Sequence, residues 1–112
     1  MSQLDTLTFD ATDLPKLFLG GGNDYIGTTD DNGFQYIITE PCSAEVPTHM
    51  VQRARIIRLD SFGIPCGVYE DLEHNLSTKH CVEVIQLIHE RNFRHLVRLI
   101  GRTQCRNLGF SV

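Results

Sequence analysis

Residues 77–100, STKHCVEVIQLIHERNFRHLVRLI, contain the pattern that decides the fold class. Ser77 is a good helix N-cap, because its side-chain oxygen can accept a hydrogen bond from a backbone N–H of the first turn. Apolar residues then recur at the three- and four-residue spacings that put them on one face of a helix. They form two stripes: Cys81, Val84, Ile85 and Ile88, and then Phe93, Leu96, Val97 and Ile100.

The sequence leaves open how this helical arm, residues 77–112, is divided. Arg91-Asn92 predicts either a break between two helices or a point within one continuous helix. Gly101 favours the end of the second helix, although the pattern extends to about Cys105. Val82, Leu87 and Leu99 lie off the stripes. An arm that is apolar on more than one side favours an intertwined dimer, with the eight stripe residues as its interface.

The preceding residues, 1–76, predict an antiparallel β-meander. Asn32-Gly33 between two β-prone runs is a strong hairpin signal, because both residue types tolerate positive φ. Strands followed by helices indicate an α+β fold, and 112 residues fit a single domain. The predicted strands are residues 4–10 and 14–19, which form an N-terminal hairpin, and then, after the breaker Gly20-Gly21-Gly22-Asn23, residues 25–29, 34–40, 49–59 and 66–72.

Charge is divided unevenly along the chain, whose net charge is −4. Residues 1–47 hold eight acidic residues and one basic residue, whereas residues 48–112 hold nine basic and six acidic residues. This distribution disfavours a protein that wraps RNA over its whole surface, but it is compatible with a local basic patch. There is no apolar run of about 18 residues and no signal-peptide pattern at the N-terminus, so we expect no membrane span and a cytoplasmic product.

No residue pattern predicts catalysis, a cofactor or a metal site. His74, His80 and Cys81 are close in sequence, but they do not match a recognised metal-ligand spacing. Gly20-Gly21-Gly22 is not followed by the Lys-Ser/Thr of a phosphate-binding loop. The four cysteines form no C-x-x-C pair; we expect small buried hydrophobic residues or, as the alternative, a bond between subunits. The protein is therefore not expected to be an enzyme.

Two arginines on the long predicted strand suggest an RNA-binding surface. Alternation along residues 49–59 puts Arg53 and Arg55 on one face and Ile56 on the core face. Tyr69 and Asp71 of the neighbouring strand share a face and can supply a stacking ring and an acceptor. The alternative is a solvated face with ordinary ion pairs. Arg58 falls on the core face, which predicts a bulge or an early end of this strand.

A second basic group, Arg91, Arg94, Arg98 and Arg102, is spaced as a stripe along the second helix. It predicts either a nucleic-acid or acidic partner, or salt bridges to the acidic half of the same or a neighbouring chain.

The order of elements resembles the coat proteins of single-stranded RNA bacteriophages (leviviruses). The most specific stretch is CGVYEDLEHNLSTKHCVEVIQLIHERNFRHLVRLIGRTQCRNLGFSV, residues 66–112, which resembles that family's closing strand, two helices and short tail. RARIIRLDSFGIPCGVYEDL, residues 53–72, resembles its long strand, short tip loop and returning strand.

The resemblance implies a dimer whose sheets join into one surface and whose helical arms cross onto the partner. It further implies an icosahedral shell in the virion, assembled in the host bacterial cytoplasm, with the sheet facing genomic single-stranded RNA. In the family, the sheet face also binds an RNA hairpin and represses translation. By position, Arg53, Arg55, Tyr69 and Asp71 match this surface, as does Thr39. The alternative function is a small dimeric nucleic-acid-binding regulator.

Overall fold

A computed structural model describes residues 25–71, 73 and 76–112. These residues form a four-stranded antiparallel sheet in the order β1-β2-β3-β4, followed by three helices. The predicted α+β fold is therefore confirmed, whereas the predicted N-terminal hairpin and the glycine breaker lie outside the described residues. The strands are β1 (Ile26–Thr29), β2 (Gln35–Thr39), β3 (Arg55–Leu59) and β4 (Pro65–Tyr69), and the helices are α1 (Thr78–His89), α2 (Phe93–Ile100) and α3 (Arg102–Asn107).

Two loops of the same design, which we call the Asp–Gly tips, connect β1 to β2 and β3 to β4. They are residues 30–34 and 60–64, and both lie at the same end of the sheet. The backbone N–H of the first residue donates to the carbonyl of the fifth at 2.9 Å in each tip. The fourth residue, Gly33 or Gly63, has a φ of 85° or 79°, which favours glycine. The hairpin predicted at Asn32-Gly33 is thus confirmed, with Gly33 rather than Asn32 taking the positive φ.

The first residue of each tip also fixes the loop through its side chain. Asp30 Oδ1 accepts hydrogen bonds from the backbone N–H groups of Asn32 and Phe34, at 2.8 and 3.1 Å. Asp60 Oδ1 accepts the equivalent pair from Phe62 and Ile64, at 2.8 and 2.9 Å. Aspartate is common at the start of turns because its short side chain reaches these N–H groups.

The prediction of a strand over residues 49–59 is wrong in its first half, because β3 covers only the second half. The backbone carbonyls of Met50 and Gln52 accept hydrogen bonds from the N–H groups of Lys79 and Thr78, at 3.0 and 2.8 Å. The first N–H groups of a helix have no partner within the helix itself. This segment therefore caps α1 instead of extending the sheet.

The arm consists of separate helices with recognisable boundaries. Ser77 is the N-cap of α1, as predicted, and its side-chain oxygen accepts from the N–H of His80 at 3.1 Å. The chain breaks after α1 at Arg91, which has a φ of 56°, and Asn92 caps α2. Gly101, with a φ of 86°, ends α2. The short α3 that follows it was not predicted.

The core lies between one face of the sheet and the helices: α1 and α3 pack on the strands, and α2 packs against α1 and α3. We call this side of the sheet the helix face. Ile38 and Ile56 from the sheet and Val84 and Ile85 from α1 are fully buried there. Burial of an aliphatic side chain of this size stabilises a fold by about 1.5–3 kcal/mol. The apolar stripe of α1 therefore contributes much of the stability of the domain.

The chain's own sheet and helices cover the predicted dimer-interface residues. The arm is thus not too apolar for its own sheet, contrary to the sequence-based reason for a dimer. Exchange of arms between two identical sheets would keep the same contacts, so an intertwined dimer stays a prediction. Buried in this core are Cys81, Val84, Ile85, Ile88 and Leu96, and partly buried against it are Phe93, Val97 and Ile100.

Candidate functional site

The side of the sheet opposite the helices, which we call the open face, is mainly apolar. Ile57 pairs with Ile37 on one side and Val68 on the other, so their side chains share this face. Thr39 and Arg55 are also paired and lie beside them. An open groove of about 550 Å³ runs over Ile37, Ile57, Thr39 and Arg55 and over the loop after β2. The groove therefore combines an apolar floor with a single guanidinium group.

Arg55 is held in this groove by three partners. Its Nε donates to Thr39 Oγ1 at 3.2 Å, and its Nη2 donates to the carbonyl of Ser43 at 3.3 Å. Nη1 lies 3.9 Å from a carboxylate oxygen of Glu70. The guanidinium is thus oriented by neutral acceptors, and a weak ion pair balances its charge. A phosphate group would compete with Glu70 for Arg55.

Tyr69 lies on the helix face, and a β-bulge is the reason. The bulge, at Cys66 of β4, lies between the partner pairs Leu59–Pro65 and Arg58–Gly67. Without this extra residue Tyr69 would pair with Arg55, but it pairs instead with Ile56, whose side chain is in the core. A shift of one residue moves a strand's side chains to the opposite face. The predicted placement of Tyr69 on the surface that carries Arg55 is therefore wrong.

The Tyr69 ring fills the core and its hydroxyl contacts the start of α1. Tyr69 Oη lies 2.7 Å from His80 Nε2. Burial raises the pKa of Tyr69 to about 12 and lowers the pKa of His80. A neutral imidazole accepting from a protonated hydroxyl satisfies both groups at neutral pH. Tyr69 therefore links β4 to α1 and cannot stack on an RNA base from this position.

The remaining predicted RNA-binding residues, Arg53 and Asp71, lie outside the strands. Arg53 is exposed, and its backbone forms an isolated bridge with Ser77, the N-cap of α1. Asp71 follows β4, and its Oδ1 accepts from the backbone N–H of Glu73 at 3.0 Å. Of the five predicted residues, Thr39 and Arg55 are therefore the pair that the structure brings into direct contact.

The sequence predicted a single stripe of arginines along the second helix, and this prediction is wrong. Arg91 precedes α2 and forms a two-bond ion pair with Asp31 of the first Asp–Gly tip. Gly101 interrupts the helix before Arg102. The exposed arginines fall instead on two helices, in a group that we call the arginine surface: Arg94 and Arg98 of α2, and Arg102 and Arg106 of α3.

A second cavity, of about 320 Å³, lies between the first Asp–Gly tip, the end of α1 and the C-terminal tail. Arg58 lines it from the helix face, and its guanidinium carbon lies 3.7 Å from the centre of the Phe34 ring. Arg58 Nε is buried and has no hydrogen-bond partner among the described residues. The bulge predicted from the position of Arg58 is present, although the extra residue is on β4. Cation–π stacking on Phe34 therefore offsets part of the cost of burying this charge.

The cysteines divide into two kinds. Cys81 and Cys105 are buried, and burial raises the pKa of both thiols, that of Cys81 to about 12. They therefore behave as small hydrophobic residues. Cys42 and Cys66 are exposed and free. Within the described residues, no group of three or more His, Cys, Asp or Glu side chains is arranged to hold a metal ion.

No protein-family model matches this chain, and no curated protein or solved structure matches it either. None of the helices among the described residues has the length and apolar character needed to cross a membrane.

Proposed function

We propose that this protein is a structural, non-catalytic shell subunit that dimerises and encloses single-stranded RNA, as bacteriophage coat proteins do. The observation that carries the proposal is the asymmetry of the sheet: helices cover one face, and the other face bears an apolar groove with Arg55. The order of strands and helices, which resembles that of these coat proteins, also supports the proposal. In the proposed shell, the open face is directed toward the RNA and the helices are directed outward.

The edge of the sheet at β4 supports self-association. Among the described residues, β4 has a strand neighbour on one side and none on the other. An edge strand presents unpaired N–H and C=O groups that can pair with another chain. Pairing of β4 with β4 of a second copy would extend the open face across both copies. The arms would then exchange, so that the core residues of α1 contact the partner's sheet.

The groove of the open face supports RNA binding. Its apolar floor, formed by Ile37 and Ile57, can receive an unstacked base, and Arg55 can contact the adjoining phosphate. Because Glu70 lies 3.9 Å from Arg55, the affinity for phosphate should be modest. This suits a protein that contacts RNA through many copies of one weak site.

Particle size tests the shell. The full-length protein would be purified and analysed by size-exclusion chromatography with light scattering and by negative-stain electron microscopy. We expect closed particles tens of nanometres across. A stable dimer, about 25 kDa for two chains of 12.7 kDa, that never assembles further would contradict the proposal.

Substitutions on the open face test the RNA site separately. Arg55→Ala should lower the RNA content of the particles, measured from the ratio of absorbance at 260 and 280 nm, without preventing assembly. Arg53→Ala is the matched control, because Arg53 is exposed outside β3. Glu70→Gln removes the competing carboxylate and should raise the RNA content. Particles with equal RNA content in all three variants would refute the assignment of this groove while leaving the shell intact.

The arginine surface favours a second candidate function, a dimeric nucleic-acid-binding regulator. Its four guanidinium groups are exposed on two short helices, where they could contact phosphates. A regulator would remain a dimer and would bind a nucleic-acid oligonucleotide with an affinity that falls steeply with salt. The particle-size experiment separates the two functions.

A further inference from the structure

The C-terminal part of the chain concentrates positive charge. Residues 91–112 contain five arginines and no acidic residue, whereas residues 1–90 contain five basic and fourteen acidic residues. Charge is therefore segregated along a chain whose net charge is −4. Five of the ten basic residues are thus concentrated in the last 22 positions.

The arginine surface has no anionic partner among the described residues. Arg91 is paired with Asp31, but Arg94, Arg98 and Arg102 form no ion pair or hydrogen bond there. Arg106 donates to the terminal backbone oxygen of Val112 at 3.3 Å. Arg94, Arg98 and Arg102 are therefore exposed cations without an ion-pair partner in the described part of the chain.

The spacing of the arginines makes this arrangement unfavourable for an isolated chain. Arg94 and Arg98 are four residues apart on α2, and Arg102 and Arg106 are four residues apart on α3. Like charges at this spacing face each other on a helix and repel. Two such pairs on consecutive helices favour a partner that balances their charge.

We propose that the arginine surface docks onto exposed carboxylates of a second copy of this chain. The chain itself supplies the complementary charge, since all fourteen of its acidic residues precede residue 91. Exposed acidic residues of the described part include Glu83 of α1 and Glu90, the C-cap of the same helix.

This contact would be heterologous, because it joins two different surfaces. Pairing of β4 with β4 is isologous and is complete after two copies. A closed shell needs a further contact that continues from dimer to dimer, and the arginine surface can supply it. The inference therefore rests on the proposed shell function and adds the contact between dimers.

The experiment measures self-association of full-length protein after removal of nucleic acid. Sedimentation velocity would be recorded over a range of NaCl concentrations, with circular dichroism as a check of folding. Wild-type protein should assemble beyond the dimer at low salt and dissociate as salt screens the contact. Arg94→Ala with Arg98→Ala should raise the concentration needed for assembly at least tenfold.

Two further variants make the result specific. Arg53→Ala with Lys79→Ala removes the same charge from exposed side chains elsewhere and should assemble like the wild type. Arg94→Lys with Arg98→Lys keeps the charge and should restore most of the assembly.

The outcomes separate this inference from the shell proposal. If the double alanine variant forms wild-type particles with unchanged salt stability, the inference is refuted and the shell stands. If it assembles normally but loses binding of a single-stranded RNA oligonucleotide, the partner is RNA and the inference is refuted. Salt-sensitive open oligomers without closed particles would support the inference and refute the shell. A wild-type protein that stays dimeric at every salt concentration refutes both.

Discussion

Replacement of Ile85 by alanine tests whether the apolar stripe of α1 is part of the hydrophobic core. Ile85 is fully buried against the sheet. The substitution removes three carbon atoms, worth about 2.4 kcal/mol at about 0.8 kcal/mol each. The cavity that remains adds to this cost, so the free energy of unfolding should fall by about 3–4 kcal/mol. That is a large part of the roughly 5–15 kcal/mol that stabilises a domain.

Urea denaturation followed by circular dichroism at 222 nm measures this loss, since the chain has no tryptophan for fluorescence. Leu99→Ala is the matched control, because Leu99 is 41% exposed on α2, and its effect should stay near 0.5 kcal/mol. Equal effects of the two substitutions would refute the assignment of the core. Thermal unfolding at two protein concentrations tests the oligomeric state. For the proposed intertwined dimer, Tm should rise with protein concentration in both variants.

Three further predictions concern the pH dependence, a turn and the exchange of arms. Burial lowers the pKa of His80, so the unfolded chain binds the proton more tightly and the free energy of unfolding should fall as the pH drops below about 6.5. In His80→Gln, the free energy of unfolding measured with urea should depend less on pH in this range. A pH dependence equal to that of the wild type would contradict this. Asp60→Ala removes two hydrogen bonds of the second Asp–Gly tip and should lower the free energy of unfolding by about 1–2 kcal/mol, whereas Ser61→Ala should change it little, and indistinguishable denaturation curves would show that the side chain does not hold the tip. Thr28 and His89 are joined by a 2.8 Å hydrogen bond, so cysteines at these two positions can be cross-linked by a short bismaleimide. In a protein with Cys42 and Cys66 changed to serine, Thr28→Cys with His89→Cys should link two chains if the arms exchange. A cross-link within one chain, seen on a denaturing gel, would exclude exchange.

Local signals predicted most of the fold correctly. The hairpin at Asn32-Gly33 and the N-cap at Ser77 depend on residues within one turn of each other, and both are present. The apolar stripe of α1 is buried as a unit, because helical periodicity follows directly from sequence spacing. The α+β class follows from these elements alone.

The errors concern contacts between segments that are distant in sequence. The alternation of residues 49–54 is compatible with a strand, but the carbonyls of Met50 and Gln52 bond to the first turn of α1. The N–H groups of α1 compete with a neighbouring strand for these carbonyls, and this competition depends on where α1 lies in the folded chain. The position of Arg58 indicated an irregularity, but it did not show that the extra residue is Cys66 of β4, which moves Tyr69 to the opposite face. Arg55 and Thr39 lie on the same face because they pair across two strands whose register has no bulge.

The Asp–Gly tips have a practical consequence for engineering. In the second tip, the frame is built from the Asp60 side chain, backbone hydrogen bonds and the positive φ of Gly63. The side chains of Ser61 and Phe62 are exposed, that of Phe62 by 87%. Exposed loop tips are the sites where inserted sequence is tolerated best. Here, however, an insertion between Ser61 and Phe62 would separate Asp60 from the N–H groups that hold the tip, so new side chains are better presented by substitution at these two positions.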